Sequence, residues 1–206
     1  MFIVLEGIDG SGKTTQLNKI KEYVAKEFPN KNIIFTREPG GLDNHIGEEL
    51  REVILNNEMD DYTRALLYAA SRYEHQLKIK EWIADNKIVI CDRYIYSSLA
   101  YNSNNISEMN EILNINRYND IIKPNAILFY RINMDTYNER KRNRSNEREL
   151  DALEQKPDSF FIKSSKFYTT AFNLTKANVI EINSNRSIEE VTSDTLEIID
   201  NLLREE

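Results

Sequence analysis

The stretch LEGIDGSGKTT, from Leu5 to Thr15, decides the fold. Within it, Gly7 to Thr14 fits the pattern G-x-x-x-x-G-K-[ST], and it holds three of the six glycines of the chain. An apolar run precedes the pattern and a helix-period run follows it, which is the context that a phosphate-binding P-loop requires. Glycines let successive backbone N–H groups turn toward phosphate oxygens, and the start of a helix adds partial positive charge. The stretch therefore predicts a site for a nucleoside triphosphate.

The side chains of this loop suit the same ligand. Lys13 supplies a mobile cation for the β- and γ-phosphates, and the Thr14 hydroxyl is a candidate ligand of Mg²⁺. The alternative is a glycine-rich turn that happens to precede a lysine, expected by chance in roughly one chain of this length in a hundred. The predicted phosphate site consists of Gly7, Ile8, Asp9, Gly10, Ser11, Gly12, Lys13, Thr14 and Thr15.

Five short apolar runs, none strictly alternating, predict strands that are buried on both faces of a parallel sheet. These runs are FIVL from Phe2, NIIF from Asn32, KIVIC from Lys87, AILFYRI from Ala126 and NVIEI from Asn178. Helix-period stretches lie between and after them: Thr14 to Glu27, Tyr62 to Ala84, and Ser187 to Leu203 with Ser187 as N-cap and Glu190 three residues on. We expect an α/β fold, a five-stranded parallel sheet flanked by helices on both faces, in one domain over residues 1–206.

Composition narrows the class of protein. At 206 residues and 40% hydrophobic, the chain can bury a full core without disulfides. A net charge of −7 argues against partners such as nucleic acid or an anionic membrane surface. No 18-residue apolar run is present, and the N-terminus MFIVLEG lacks the basic region of a signal peptide, so we expect a cytoplasmic protein. The lone cysteine, Cys91, reads as a small buried apolar residue rather than a reactive thiol.

Three further stretches lie where loops and helices would face the P-loop, at the carboxyl ends of parallel strands. They are FTREPGG (Phe35–Gly41), LLYAASRYEH (Leu66–His75) and CDRYIYSSLAYN (Cys91–Asn102). Taken in this order, with the P-loop, the chain resembles the thymidylate kinases, which pass a phosphoryl group from ATP to dTMP. The resemblance extends from Met1 to about Tyr168, with the last strand and helix in keeping. It implies a P-loop kinase fold, ATP and Mg²⁺, formation of dTDP, and a homodimer.

Residues near the reacting phosphates can be assigned from the residue pattern and from the resemblance. Asp92 ends an apolar strand, as a Walker-B acid does, and would orient Mg²⁺ or its waters; the alternative is a strand-end cap. The resemblance implies that Arg93 reaches phosphate at the junction of donor and acceptor, where its planar fork holds two oxygens. It also implies that Asp9 faces the acceptor's sugar, against the alternative of a surface-loop aspartate. Glu38 and Pro39 resemble the family's turn, with a cis Glu–Pro bond, and Glu38 would approach the phosphates through metal or water.

The resemblance also supplies a site for the acceptor nucleotide. Arg51 matches an arginine that binds the 5′-phosphate, although read alone it is an ordinary solvated helix arginine. Tyr68 and Arg72 are four residues apart and therefore share a helix face. In the family this face is the base pocket, where an aromatic ring stacks on thymine and an arginine donates to its O4. Without the resemblance, Tyr68 is more readily read as a core residue.

The segment after the Asp-Arg pair is expected to contact the base and the sugar. Ser98, Tyr101 and Asn102 match positions that line the base and deoxyribose, with Tyr101 packed against C2′ of the acceptor. A tyrosine of the core is the alternative for Tyr101. The family often has DSS where this chain has YSS, so Tyr96 is a departure that affects contacts near the sugar or the dimer.

An arginine-dense run, NERKRNRSNERELDALE, spans residues 138–154 of this acidic chain. A solvated helix is the simple reading, but Arg144 and Arg148 would repel each other unless an anion lay between them. Nucleoside monophosphate kinases carry a lid here, and the thymidylate kinases hold their catalytic arginine either in the P-loop or in the lid. Because the P-loop position is Gly10, the resemblance points to the lid, with Arg140, Arg144 and Arg148 as candidates and the last two favoured.

Three rival functions share parts of this pattern. Another nucleotide or deoxynucleoside kinase on the same fold is the nearest, and its acceptor would differ. A GTP-binding switch protein is disfavoured because no N-K-x-D stretch is present. A binding protein that lost its chemistry is disfavoured because Lys13, Thr14, Asp92 and Arg93 are all in place.

Overall fold

A computed structural model describes residues 1–147 and 155–205, which form five strands and eight helices. The strands are β1 Phe2–Glu6, β2 Ile33–Arg37, β3 Ile88–Asp92, β4 Ala126–Arg131 and β5 Val179–Asn183. The helices are α1 Lys13–Glu27, α2 His45–Asn56, α3 Asp61–Ala84, α4 Ile95–Asn102, α5 Ile106–Ile115, α6 Met134–Glu147, α7 Asp158–Thr175 and α8 Ile188–Arg204. Each apolar run singled out in the sequence overlaps one of the strands.

The five strands form one parallel sheet in the order β2-β3-β1-β4-β5. β1 lies at its centre, where Ile3 is in register with Ile90 of β3 and with Ala126 of β4. Because all pairs are parallel, every strand ends at the same edge, and the chain order reverses beside β1. Such a point is where open α/β sheets bind ligands. The predicted α/β class and parallel sheet are confirmed.

The two faces of the sheet are covered by different helices. Phe2 and Val4 of β1 contribute to a core shared with α3, α4, α5 and α7. Ile3 and Leu5 contribute to a second core shared with α1 and α8. Alternate residues of one strand thus pack on opposite sides, which confirms helices on both faces and explains why the strand sequences do not alternate in polarity.

Two helices begin close to the residues that the sequence predicted: α8 begins directly after Ser187, and α1 begins at Lys13. α8 begins with a capping box, in which the Ser187 hydroxyl accepts from the Glu190 N–H at 3.2 Å and the Glu190 carboxylate accepts from the Ser187 N–H at 3.1 Å. α1 begins at Lys13 immediately after Gly12, whose φ of 98° is the left-handed conformation that glycine adopts without strain.

Tyr96 and Cys91 both lie in the core. The Tyr96 ring packs against Phe172 with ring centroids 5.4 Å apart and against Tyr94 at 6.4 Å. The departure from the family's DSS therefore fills the space between α4 and α7. Cys91 is fully buried in β3, as expected. Within residues 1–147 and 155–205, none of the helices combines the length and the apolar character needed to cross a membrane.

Candidate active site

Three strand ends meet at the edge of the sheet. Asp92 is in register with Leu5 of β1 and with Arg37 of β2. The loops that leave these strands therefore start side by side, and they carry the P-loop, the Glu38–Pro39 turn and Arg93. The Glu38–Pro39 peptide bond is cis, as the resemblance implied.

The P-loop curls around the Lys13 side chain. The Lys13 Nζ donates to the carbonyl oxygens of Gly7 at 2.8 Å and Ile8 at 3.1 Å, and only 5% of the residue is exposed. Gly10 and Gly12 adopt φ values of 84° and 98°, which turn the loop back toward the first turn of α1. The loop thus has the compact form that directs N–H groups and one cation to a common point.

Burial changes the acid–base behaviour of Lys13. Loss of solvent, followed by the nearby Arg93 cation, lowers the pKa of Lys13 to about 8, although Asp9, Asp92 and Glu6 oppose the change. With this pKa the side chain is mostly charged at neutral pH, and an anion beside it would keep the proton bound to higher pH. A bound triphosphate supplies that anion and favours the charged form.

Arg93 links the P-loop to α4. Its guanidinium forms an ion pair with Asp9 and donates to the Gly7 carbonyl at 3.3 Å and to the Ser97 hydroxyl at 3.0 Å. Its backbone has a φ of 67°, in the left-handed region that non-glycine residues rarely occupy. Burial disfavours the Asp9 carboxylate, but the Arg93 and Lys13 cations outweigh it, so the Asp9 pKa lies below its usual value.

Tyr101 connects the same loop with α7. Its hydroxyl accepts from the Asp9 N–H at 3.1 Å, and the Arg93 guanidinium lies over its ring at 5.4 Å. The ring stacks on Phe160 at 5.7 Å. Tyr101 is half-buried, so it belongs to the edge of the core and the wall of the site together.

A fully buried carboxylate, Glu6, lies below the P-loop. It accepts hydrogen bonds from the Tyr94 N–H at 2.8 Å, the Ser97 N–H at 3.2 Å, the Ser97 hydroxyl at 2.7 Å and the Tyr168 hydroxyl at 3.0 Å. Burial raises the Glu6 pKa, and the Arg93 cation opposes that change. Glu6 therefore ties the end of β1 to the start of α4 and to α7.

The donor set at the end of β3 suits Mg²⁺. Asp92 has a buried Oδ1 for which the described residues provide no hydrogen-bond partner. A buried carboxylate oxygen without a donor is explained by a cation or its waters. Thr14 lies exposed in the first turn of α1, directly after the P-loop lysine. Both residues are hard oxygen donors of the kind that Mg²⁺ shares with substrate phosphates.

Arginines of α2, α3 and the residue after β3 lie near Tyr68 of α3, and this group is called the cationic pocket below. Tyr68 is half-buried there, and burial raises its pKa, while the charges of Arg64, Arg93, Arg72 and Arg51 act in the opposite direction. Arg51 donates to the Pro39 carbonyl at 3.0 Å, which places its guanidinium at the Glu38–Pro39 turn. Four arginines near one aromatic ring form a cationic environment within an acidic chain.

The Arg72 guanidinium donates hydrogen bonds to three side chains. It donates from Nε to Glu38 at 2.6 Å, from Nη2 to the Ser98 hydroxyl at 2.9 Å, and from Nη1 to the Asn116 side chain. A guanidinium carries five N–H groups, so these three bonds leave two for a ligand. Both carboxylate oxygens of Glu38 face α3, one toward Arg72 and the other toward His75.

Asn102, at the end of α4, opens onto a neighbouring cleft. The cleft lies between α3 and α5 and is also lined by Tyr62, Ala65 and Ile112. Asn102 therefore stands at the outer end of the helix face that carries Ser98.

The arginine-rich helix α6 is packed against the P-loop. Arg140 donates to the Gly10 carbonyl at 3.2 Å and to the Ser184 carbonyl at 2.7 Å. A methyl group on Gly10 would lie 2.8 Å from the Arg144 Nη2, so the guanidinium occupies the space that a side chain at Gly10 would need. Arg148 and residues 149–154 of the predicted lid lie outside the described residues.

Comparisons with known proteins decide the family. The family model described as Thymidylate kinase matches residues 5–195. The chain is similar to proteins named thymidylate kinase from Staphylococcus haemolyticus (36% identical, 98% of each chain), Ligilactobacillus salivarius (34%, 98% of each) and Finegoldia magna (37%, 97% of each). The chain belongs to the thymidylate kinase family. The resemblance found in the motifs is thereby confirmed for nearly the whole chain.

Several residues of this thymidylate kinase family member support the predicted site but were not predicted. Ser97, His75, Asn116 and Tyr168 contact predicted site residues directly, and Glu6 acts through Ser97 and Tyr168. Two of them carried a signal. Glu6 is a charged residue at the end of an otherwise apolar strand, and His75 lies three residues after Arg72 on the same helix face. The partners of Asn116 and Tyr168 are too far away along the chain for sequence spacing to reveal them.

The lowered pKa of Lys13 predicts a pH dependence. Above pH 8 the free enzyme should lose the Lys13 proton, so kcat/KM for ATP should fall by about tenfold per pH unit. The kcat at saturating ATP should persist to higher pH, because bound phosphate favours the charged lysine. The folded pKa is below the unfolded one, so the unfolded chain binds more protons above pH 8 and this residue makes stability rise with pH.

The measurement is a pair of pH–rate profiles between pH 6.5 and 9.5, with circular dichroism at each pH to follow the fold. A kcat/KM for ATP that stays level to pH 9.5 in a folded enzyme would show that Lys13 keeps its proton.

Proposed function

We propose that this thymidylate kinase family member transfers the γ-phosphoryl group of ATP to dTMP, giving ADP and dTDP. The position of Arg93 supports this most directly. Its guanidinium touches the P-loop at Gly7 and Asp9 and also lies over Tyr101, at the border of the cationic pocket. One cation between a triphosphate cradle and an acceptor pocket is what transfer between two phosphates requires.

On the donor side, we assign residues 7–15 to the ATP phosphates. Lys13 would neutralise charge on the β- and γ-phosphates, and Thr14 and Asp92 would hold Mg²⁺, which when bound offsets the charge developing on the phosphate oxygens. Phosphoryl transfer asks little covalent work of a protein, so positioning and charge account for most of the catalysis.

On the acceptor side, we assign the cationic pocket to dTMP. Arg51 would bind the 5′-phosphate near Pro39, and Tyr68 would stack on thymine. Arg72 would donate one of its two remaining N–H groups to O4. We assign the walls around the base and sugar to Ser98, Tyr101, Asn102 and Asp9. Glu38 is assigned to the turn that approaches the reacting phosphates. The half-buried ring of Tyr101 beside Asp9 supports a role in excluding a 2′-hydroxyl by steric clash.

We propose that residues 1–206 form one domain with a lid at about residues 138–154. We assign the catalytic arginine of this lid to Arg144. Its guanidinium occupies the space above Gly10, which is where the other group of the family carries its arginine. Arg140 bonds two backbone carbonyls and so anchors α6. Closure of the lid would exclude water and so prevent hydrolysis of ATP.

The acceptor is tested by a coupled assay of ADP release with dTMP, dUMP, dCMP, UMP and AMP. We expect the highest kcat/KM for dTMP. Lys13→Ala is the control that links the signal to this protein, and it should lose at least about 10³-fold of the activity because a transition-state charge is removed. A higher kcat/KM for another monophosphate would identify a different nucleotide kinase.

Arg144→Ala should lower kcat by at least about 10²-fold while the KM for dTMP changes little, the pattern of a contact made in the transition state. Arg142→Ala is the matched control, since Arg142 is exposed on the same helix and should keep wild-type rates. Full kcat in Arg144→Ala would transfer the assignment to Arg140 or Arg148, whose alanine variants are measured in the same series.

We also propose a homodimer formed through α3. Tyr62, Leu66, Tyr73 and Leu77 lie along one stripe of this helix and are each between 44% and 58% exposed. Leu66→Arg should shift the mass measured by sedimentation equilibrium toward the monomer. Leu174→Arg on α7 is the matched control, because Leu174 is 39% exposed outside the stripe. An unchanged mass in Leu66→Arg would remove α3 from the interface.

A further inference from the structure

A buried histidine lies behind the acceptor pocket with no part in the roles assigned above. His75 has no exposed surface. Its Nε2 lies 2.8 Å from the Thr36 hydroxyl, and its Nδ1 lies 3.2 Å from Oε1 of Glu38. A histidine held at both ring nitrogens has one orientation, which suits a residue that fixes a neighbour.

The partners determine which nitrogen of His75 carries a proton. In its ion pair with Arg72, Glu38 is an ionised carboxylate, which can only accept hydrogen bonds, so Nδ1 must be the donor. The Thr36 hydroxyl accepts from the Leu42 N–H at 3.0 Å and can donate its own proton to Nε2. The neutral ring with its proton on Nδ1 satisfies every one of these groups.

Glu38 transmits this contact to Arg72. While Oε1 faces His75, Oε2 accepts from the Arg72 Nε at 2.6 Å, and both side chains of the ion pair are 3% exposed. In such a buried setting hydrogen bonds are stronger than in water and their geometry is fixed more tightly. The carboxylate is thus fixed by His75 on one side and fixes the guanidinium on the other.

The loop around the Glu38–Pro39 turn closes over the imidazole. A methyl group on Gly41 would lie 2.5 Å from Cδ2 of His75, so only a glycine allows this backbone to approach the ring. The ring edge also faces Trp82, with centroids 6.3 Å apart. These contacts exclude water from the contact between His75 and Glu38, which would otherwise compete for the carboxylate.

We propose that His75 is a positioning residue for recognition of the acceptor base. Acting through Glu38, it holds the Arg72 guanidinium so that its two remaining N–H groups face a pyrimidine with a 4-carbonyl and reject one with a 4-amino group. The inference rests on the proposed function, because it assigns Arg72 to the base of dTMP. It adds a residue that never touches the nucleotide but sets the choice between thymine and cytosine.

The test uses two amides that replace different nitrogens of the ring. In His75→Asn the side-chain amide can donate from the place of Nδ1, whereas in His75→Gln it reaches the place of Nε2. His75→Leu removes both. We expect His75→Asn to keep the wild-type ratio of kcat/KM for dTMP over dCMP within about threefold, and the Gln and Leu variants to lose about tenfold of it, mainly through KM for dTMP.

Two reference variants set the range against which the kcat/KM ratios of the His75 variants are compared. Arg72→Ala gives the full loss of base preference, and His45→Asn, at an exposed position on α2, should leave every parameter unchanged. The KM for ATP should be unchanged in all His75 variants, because the P-loop follows β1 whereas His75 contacts Thr36 of β2 and Glu38 directly after it. A rise in the KM for ATP, with equal losses for both acceptors, would mean that His75 only supports the core and would overturn the proposal.

A second readout needs no activity. The chain has two histidines, so long-range ¹H–¹⁵N spectra assign His75 once His45→Asn removes the other signal. We expect a proton on Nδ1 of His75, and an altered Nδ1 shift in Glu38→Gln. A neutral ring with its proton on Nε2 would overturn the proposal.

The two assays separate failure of this inference from failure of the proposed function. If the enzyme prefers an acceptor other than dTMP, the proposed function is wrong, and the imidazole spectrum still decides whether His75 holds Glu38. If Arg72→Ala loses its base preference while all three His75 variants keep it, the function stands and the role of His75 is wrong.

Discussion

The Glu6 carboxylate constrains the whole edge of the sheet where the site is built. A carboxylate without solvent is unfavourable unless its oxygens accept hydrogen bonds, and Glu6 accepts them from donors of two helices. Two of those donors, the N–H groups of Tyr94 and Ser97, belong to the start of α4. The direction in which α4 leaves the sheet, and with it the positions of Ser98 and Tyr101, is therefore fixed by the last residue of β1.

Charges of both signs are concentrated at the same edge of the sheet. The ion pairs of Arg93 with Asp9 and of Arg72 with Glu38 keep two cations in place before any phosphate is bound. Such pairs are poor contributors to stability, because desolvation offsets much of their attraction, but removal of one partner leaves an unpaired buried charge. The site is thus organised in advance of its ligands, and its residues cannot be changed singly without a structural effect.

Local features of the chain predicted most of the fold. The strands, the P-loop and the Ser187 cap depend on neighbouring residues, so spacing alone located them. The site was predicted as a set of residues rather than as a network. Sequence spacing placed Arg72 on a helix face, yet its partners Glu38 and Asn116 lie 34 and 44 positions away. Tyr96 shows the reverse case. It lies next to site residues in the sequence and was expected to affect the sugar or the dimer, but its ring packs in the core between α4 and α7.

The central position of β1 in the sheet has a consequence for folding during synthesis. β1 is made first, but its two neighbours, β3 and β4, begin at Ile88 and Ala126. At roughly 5–20 residues per second of synthesis, its apolar strand waits several seconds for the first of them. During that interval both edges of β1 are open to pairing with other chains. The arrangement that places the P-loop in the middle of the finished sheet therefore delays the pairing of β1 until synthesis has passed Ile88 on one side and Ala126 on the other.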